Sequence, residues 1–197
     1  MGIFKTQPDD GQTGITDGQI FRVEGATVRA IHTPGHSDDH TCFVLKEENA
    51  MFTGDAVLGH GTSVVEDLGA FTESLRRMVS EECAIGYSAH GAVIDDLRAK
   101  LAHDLHHRLR REGQVMKGLG RGFFRGQTHI TTSGLVMEIY GDSVPVETRV
   151  LALEPSIEEV LRKLAADGKV GFHNKGGKRT WYSVQAARCG RSAQRQV

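Results

Sequence analysis

No apolar run in this 197-residue chain approaches the roughly 18 residues a membrane-spanning helix needs, so no transmembrane span is expected. Met1 to Gln12 is polar and shows neither a signal-peptide core nor an Arg-rich transit pattern, which points to an intracellular, cytoplasmic location. Cys42, Cys83 and Cys189 are few, odd in number and far apart. They exclude a disulfide framework and fit a reducing compartment. Acidic side chains are missing altogether after Asp167.

What remains describes a soluble globular protein, with 39% hydrophobic and 25% charged residues. The length allows one medium domain or two small ones. The net charge of −1 conceals an asymmetry. Residues 1–100 hold 16 acidic and 8 basic side chains, whereas residues 101–197 hold 9 and 16. The basic end offers a surface for nucleic acid or another polyanion. Over residues 185–197 the plainer expectation is a basic, disordered tail.

Along the chain, Gln19–Val23 and Thr27–His32 read as strands joined by the tight turn Glu24-Gly25-Ala26. Thr41–Leu45 and Met51–Thr53 form a second pair, giving a β-meander. Asp67 is placed to cap a helix in which Leu68, Phe71, Leu75 and Met78 recur at helical spacing. Ala84–Tyr87 is a short strand. A long charged helix follows from Asp95 to Lys117. Its His103, His106 and His107 read as solvated helix residues rather than as a metal cluster. Gly118–Gly126 reads as a Gly-rich linker. Beyond it, Ser133–Tyr140 is a short helix, and Ser156 with Glu159 matches a capping box ahead of a second one. Lys169–Phe172 and Thr180–Ser183 flank a basic, Gly-rich turn. Helices followed by a small hairpin describe a winged-helix-like domain.

Three segments concentrate the chemistry: Thr33-Pro34-Gly35-His36-Ser37-Asp38-Asp39-His40, Phe52-Thr53-Gly54-Asp55, and Ser88-Ala89-His90-Gly91. Each puts one metal-binding side chain in a Gly-flanked loop after an apolar run. A single loop histidine is ordinarily a surface residue. Three such loops in succession, carrying His36, Asp55 and His90, point to a divalent metal site at one sheet edge, since imidazole with carboxylate suits zinc and related ions. His40 and His60 are spare imidazoles nearby.

On these motifs the chain resembles the metallo-β-lactamase-fold hydrolases. The resemblance implies an α/β (α+β) fold with a partial αββα sandwich over 1–117, to which the residue pattern adds the linker at 118–126, a winged-helix-like domain over 127–184 and the tail at 185–197. It implies zinc, two ions in a complete member, with His36 on the first, Asp55 bridging and His90 on the second. Ala89 stands where the family pattern has Gly. The family's H-x-H-x-D-H, source of the other ligands and of the acid/base Asp, is absent. No catalytic residue is therefore assigned, metal binding is expected to be weak or partial, and the chain resembles a C-terminal portion of a family member.

The run from Phe52 to Leu68, with His60 inside Gly-His-Gly-Thr, looks most like the fungal lactamase-type thioesterases that accompany non-reducing polyketide synthases. That branch implies release of an aromatic polyketide held as a thioester on an acyl carrier protein, or action on a small-molecule thioester. The mitochondrial lactamase-like endoribonucleases share Thr-Pro-Gly-His-x-Asp-Asp-His and are the alternative. A non-catalytic remnant that binds a partner is the third reading.

Overall fold

The computed structural model describes residues 2–186, which fall into two compact units, one ending at His107 and one starting at Arg108. In the first, β1 (Phe4–Lys5) and β2 (Thr13–Gly14) form a short parallel pair. The main sheet follows: β3 (Ile20–Val23), β4 (Ala26–His32), β5 (Thr41–Leu45), β6 (Ala50–Gly54) and β7 (Ile85–Ser88). Spatial order equals chain order, with antiparallel pairs up to β6 and a parallel β6–β7 pair. The expected hairpin closes through Glu24 and Gly25, and Gly25 takes a positive φ of 79°, in the left-handed region that favours glycine.

Helix α1 (Leu68–Ser80) connects β6 to β7. Asp67 caps it as the spacing predicts, accepting from the Ala70 N–H at 2.9 Å. Phe71, Leu75 and Met78 point inward onto Ile31, Cys42, Val44 and Met51 of the sheet, and Leu97 and Leu101 of α2 (Leu97–Phe124) join the same core. The alternation of the strands leaves Phe43, Leu45, Phe52 and Tyr87 on the other face. There Phe52 remains 42% exposed and packs against Tyr87 with ring centroids 5.2 Å apart.

In the second unit the expected linker is helix. α2 runs on to Phe124, so Gly118, Gly120 and Gly122 lie inside it. The close approach of α3 (Thr132–Tyr140) accounts for one of them: a β-carbon at Gly118 would stand 2.7 Å from Leu135 Cδ1. The capping-box reading is also corrected. The chain is already helical before Ser156, through α4 (Val146–Thr148) and a π-helical turn, Arg149–Leu153, that runs into α5 (Glu154–Ala166). Ser156 therefore lies within the helix, where its hydroxyl takes a contact from Arg111 at 3.3 Å. Ile157, Val160, Leu161 and Leu164 form the buried stripe.

β8 (Val170–Lys175) and β9 (Lys178–Ser183) form the expected basic hairpin. Ile130 exchanges two backbone hydrogen bonds with Trp181, at 3.0 and 2.8 Å, which pins the segment before α3 to the hairpin. Trp181 is buried, and its indole N–H reaches Thr132 Oγ1 at 3.1 Å. Lys163 holds Glu112 of α2 at 2.8 Å and Asp167 at 2.9 Å. The Glu112 contact is an ion pair without hydrogen-bond alignment. Most of the basic tail, and Cys189, lie outside the described residues.

Candidate metal centre

The strand directions explain why the three loops meet. β4 is antiparallel to β5, β5 to β6, and β6 is parallel to β7. The C-terminal ends of β4, β6 and β7 therefore share one edge of the sheet. His36, Asp55 and His90 each follow one of those ends.

Each loop is fixed locally. The Thr33–His40 loop is closed by the Thr33 N–H on the His40 carbonyl at 2.9 Å. Gly35, at φ +122°, presses against α1, and a β-carbon there would stand 2.3 Å from the Phe71 nitrogen. The Gly35 carbonyl accepts from the N–H groups of Glu66 and Asp67 at 2.8 and 3.1 Å. Gly54, at φ +53°, turns the chain so that Asp55 faces the edge. The Ala89 N–H donates to the Gly54 carbonyl at 3.1 Å, which sets the His90 turn beside Asp55.

Asp55 stands between the two histidines and offers each a different oxygen. His36 Nε2 is 3.9 Å from Asp55 Oδ2, and His90 Nε2 is 3.4 Å from Asp55 Oδ1. Accessibility rises across the set, from 28% of the His36 side chain to 69% of His90. His36 is oriented from behind, with Nδ1 2.9 Å from the Val64 carbonyl. His40 forms the inner wall, edge-on to His36 with centroids 5.7 Å apart. Its Nδ1 lies 2.9 Å from the buried Thr33 hydroxyl. Burial, and then the neighbouring His36, hold His40 below the usual imidazole range. Cys42, behind Thr33, is pushed up to about 12 by burial and is no thiolate ligand at neutral pH. His60 lies on the His90 turn, where a β-carbon at Gly91 would stand 2.3 Å from its Nδ1. His103, His106 and His107 are exposed on α2, outside the three loops.

The donor chemistry fits a divalent cation. Zinc holds N and O ligands at about 2.1 Å and tetrahedral angles, which puts two such ligands about 3.4 Å apart. His90 Nε2 and Asp55 Oδ1 have that separation. His36 and Oδ2 are set wider, so the carboxylate is arranged to serve one imidazole on each side. Among the described residues, no group of three or more His, Cys, Asp or Glu side chains closes into a cage around a single point. The cluster is thus a partial ligand set. Ser63 and Val64 are its unforeseen members. A backbone carbonyl has no signature in sequence, and Ser63 lies in a stretch that reads only as an open loop.

The fold and this edge define an α/β protein with an imidazole–carboxylate cluster at its strand ends. The sequence profile of the Metallo-beta-lactamase superfamily matches residues 3–112, more than half the chain. The chain belongs to that superfamily. It is 60% identical over 183 residues to an "atrochrysone carboxyl ACP thioesterase" of Claviceps purpurea (strain 20.1), covering 93% of this chain and 59% of that protein. It is 55% identical over 198 residues to a protein of the same name from Passalora fulva, covering 95% and 60%. The chain therefore spans about three-fifths of the length of these curated relatives. Among solved structures, it is similar to a metallo-beta-lactamase family protein of Thermus thermophilus, with a TM-score of 0.62 at 24% identity over 89% of this chain and 56% of that one. A beta-lactamase domain protein of Burkholderia ambifaria gives 0.69 at 17% identity over 89% and 53%. These two support the fold alone.

Proposed function

We propose that this chain carries part of the metal centre of a zinc hydrolase that releases an aromatic polyketide from its thioester on an acyl carrier protein. The observation that carries the reading is the convergence of His36 and His90 on opposite oxygens of Asp55. The names of the fungal relatives supply the substrate class. His36 and His90 would hold a cation through Nε2, and Asp55 would bridge. A bound divalent cation supplies Lewis acidity, which makes water nucleophilic near neutral pH and polarises a thioester carbonyl. The chain's own residues fix the ligands. Val64 orients His36, Gly54 aims Asp55, and the Ala89–Gly54 hydrogen bond registers His90. The second unit, with α3, α5 and the β8–β9 hairpin, is proposed to be a winged-helix-like domain. The tie between Ile130 and Trp181 supports it by adding a third backbone segment beside the hairpin.

With three protein donors, the chain alone is expected to hold zinc weakly and to turn over little thioester. An extended form with an upstream H-x-H-x-D-H is expected to retain zinc and release the acyl group from an acylated carrier protein. Purified forms compared for bound zinc and released acid test this. Cleavage of RNA with no action on thioesters would transfer the chain to the endoribonuclease branch.

A further inference from the structure

Between Asp55 and α1, the segment Ala56–Val64 touches all three ligand turns. Near its middle, the Gly59 N–H donates to the His90 carbonyl at 3.1 Å. At its end, the Ser63 hydroxyl lies 2.5 Å from the Asp55 carbonyl, 2.9 Å from the Val64 carbonyl and 3.4 Å from His36 Nδ1.

We propose that Ser63 is a positioning residue that ties the Asp55 backbone to the Val64 carbonyl and the His36 ring, and so sets the gap between His36 Nε2 and Asp55 Oδ2 for a divalent cation. The inference rests on reading His36 and Asp55 as cation ligands. The proton count leads to it. A serine hydroxyl has one proton and accepts with its lone pairs. Two of the three neighbours of Ser63 are carbonyl oxygens, which only accept. The proton goes to the nearer one, on Asp55. His36 Nδ1 then faces two acceptors, the Val64 carbonyl at 2.9 Å and the Ser63 oxygen at 3.4 Å. Nδ1 must carry the hydrogen, and in the neutral ring Nε2 is bare. Nε2 looks toward Asp55 Oδ2 across 3.9 Å, too far for a hydrogen bond. Two lone-pair-bearing atoms facing across such a gap are a place for a cation. One hydroxyl thus acts on both sides of the gap, through the backbone of one ligand and the ring of the other.

The test uses the full chain as Ser63→Ala and Ser63→Thr, with two readouts. Long-range proton–nitrogen NMR of the metal-free protein reports the His36 tautomer. Zinc titration against a competing chelator reports affinity. Wild type and Ser63→Thr should show a protonated Nδ1 and a bare Nε2. Ser63→Ala should keep that tautomer, since the Val64 carbonyl still accepts from Nδ1, and should bind zinc roughly ten-fold or more weakly, the usual loss when a residue behind a ligand is removed. A far-UV spectrum unchanged in Ser63→Ala separates this from unfolding. Zinc affinity as high in Ser63→Ala as in wild type would overturn the proposal. If the wild-type chain holds no zinc, the cation reading fails, and His36 ring nitrogen shifts unchanged in Ser63→Ala would overturn the positioning role of Ser63 as well.

Discussion

At the residue scale, the cluster depends on Asp55 more than on either histidine. It alone contacts both imidazoles, whereas His36 and His90 each meet one of its oxygens. Asp55→Asn removes the charge and replaces one acceptor oxygen with a donor. Zinc affinity of the chain should fall more in Asp55→Asn than in His90→Ala, measured by chelator competition. Equal losses would mean that the carboxylate does not bridge. Gly35 is a second sensitive point. Its φ of +122° and the 2.3 Å approach to the Phe71 backbone leave no place for a β-carbon. Backbone cannot swing aside as a side-chain tip can. Gly35→Ala should cost more than about 1 kcal/mol and weaken zinc binding with it, because His36 is the next residue. Thermal unfolding and zinc titration of that variant check both effects.

At the element scale, the glycines of α2 decide between helix and linker. Gly113 and Gly120 have nothing within 4 Å of an added β-carbon, and both lie inside Leu97–Phe124. In a helix, Gly→Ala at such open positions stabilises by up to about 1 kcal/mol. Gly120→Ala should therefore raise the melting temperature, as Gly113→Ala should in the part of α2 that the sequence already reads as helix. In a flexible linker the Gly120 substitution would leave it nearly unchanged. Gly118→Ala should gain less or lose, since Leu135 must give way. The same helix shows where sequence reading ends. A cluster of glycines lowers helix propensity and reads locally as a break. What keeps the helix going is packing against elements far along the chain, such as Leu135, which propensity cannot register. The strands and α1 were legible because their signal is local: alternation in Thr41–Leu45, a three-four stripe from Leu68 to Met78, and a capping Asp67. His36, Asp55 and His90 were legible as types in Gly-flanked loops. Their meeting at one sheet edge rests on the sheet order, which puts the three strand ends there. The start of α5 was misread because Ser-x-x-Glu also occurs within helices, and the π-helical turn before it carries no motif.

At the scale of the whole molecule, acid should act on each unit through its own carboxylate. In the first, Asp17 accepts from Arg77, at 2.6 and 2.8 Å, and from the His32 N–H at 2.8 Å, joining α1 to β4. Burial works to raise its pKa, but these donors outweigh it and hold Asp17 below its ordinary value. In the second, the hydrogen bond from Lys163 is the main cause that holds Asp167 low, with Lys169 adding to it. A carboxyl with a depressed folded pKa binds its proton more weakly folded than unfolded. Its stabilisation is therefore complete above the unfolded value, about 3.9, and is lost as pH falls through the folded one. Lys163 has the opposite sign. Burial lowers its pKa, yet Asp167 and Glu112 raise it further, so its contribution is lost only as pH climbs through that raised value. Both aspartates are partly exposed, which limits each to about 1 kcal/mol. Trp181 is the only tryptophan in the chain and lies buried in the second unit, so its fluorescence reports that unit. Melting followed by Trp fluorescence should weaken below about pH 4, and Asp167→Asn should flatten that decline. Asp17→Asn should leave the fluorescence-detected decline in place while flattening the acid dependence of the far-UV signal. If Asp17→Asn flattened the fluorescence profile as much as Asp167→Asn does, the two units would be unfolding as one.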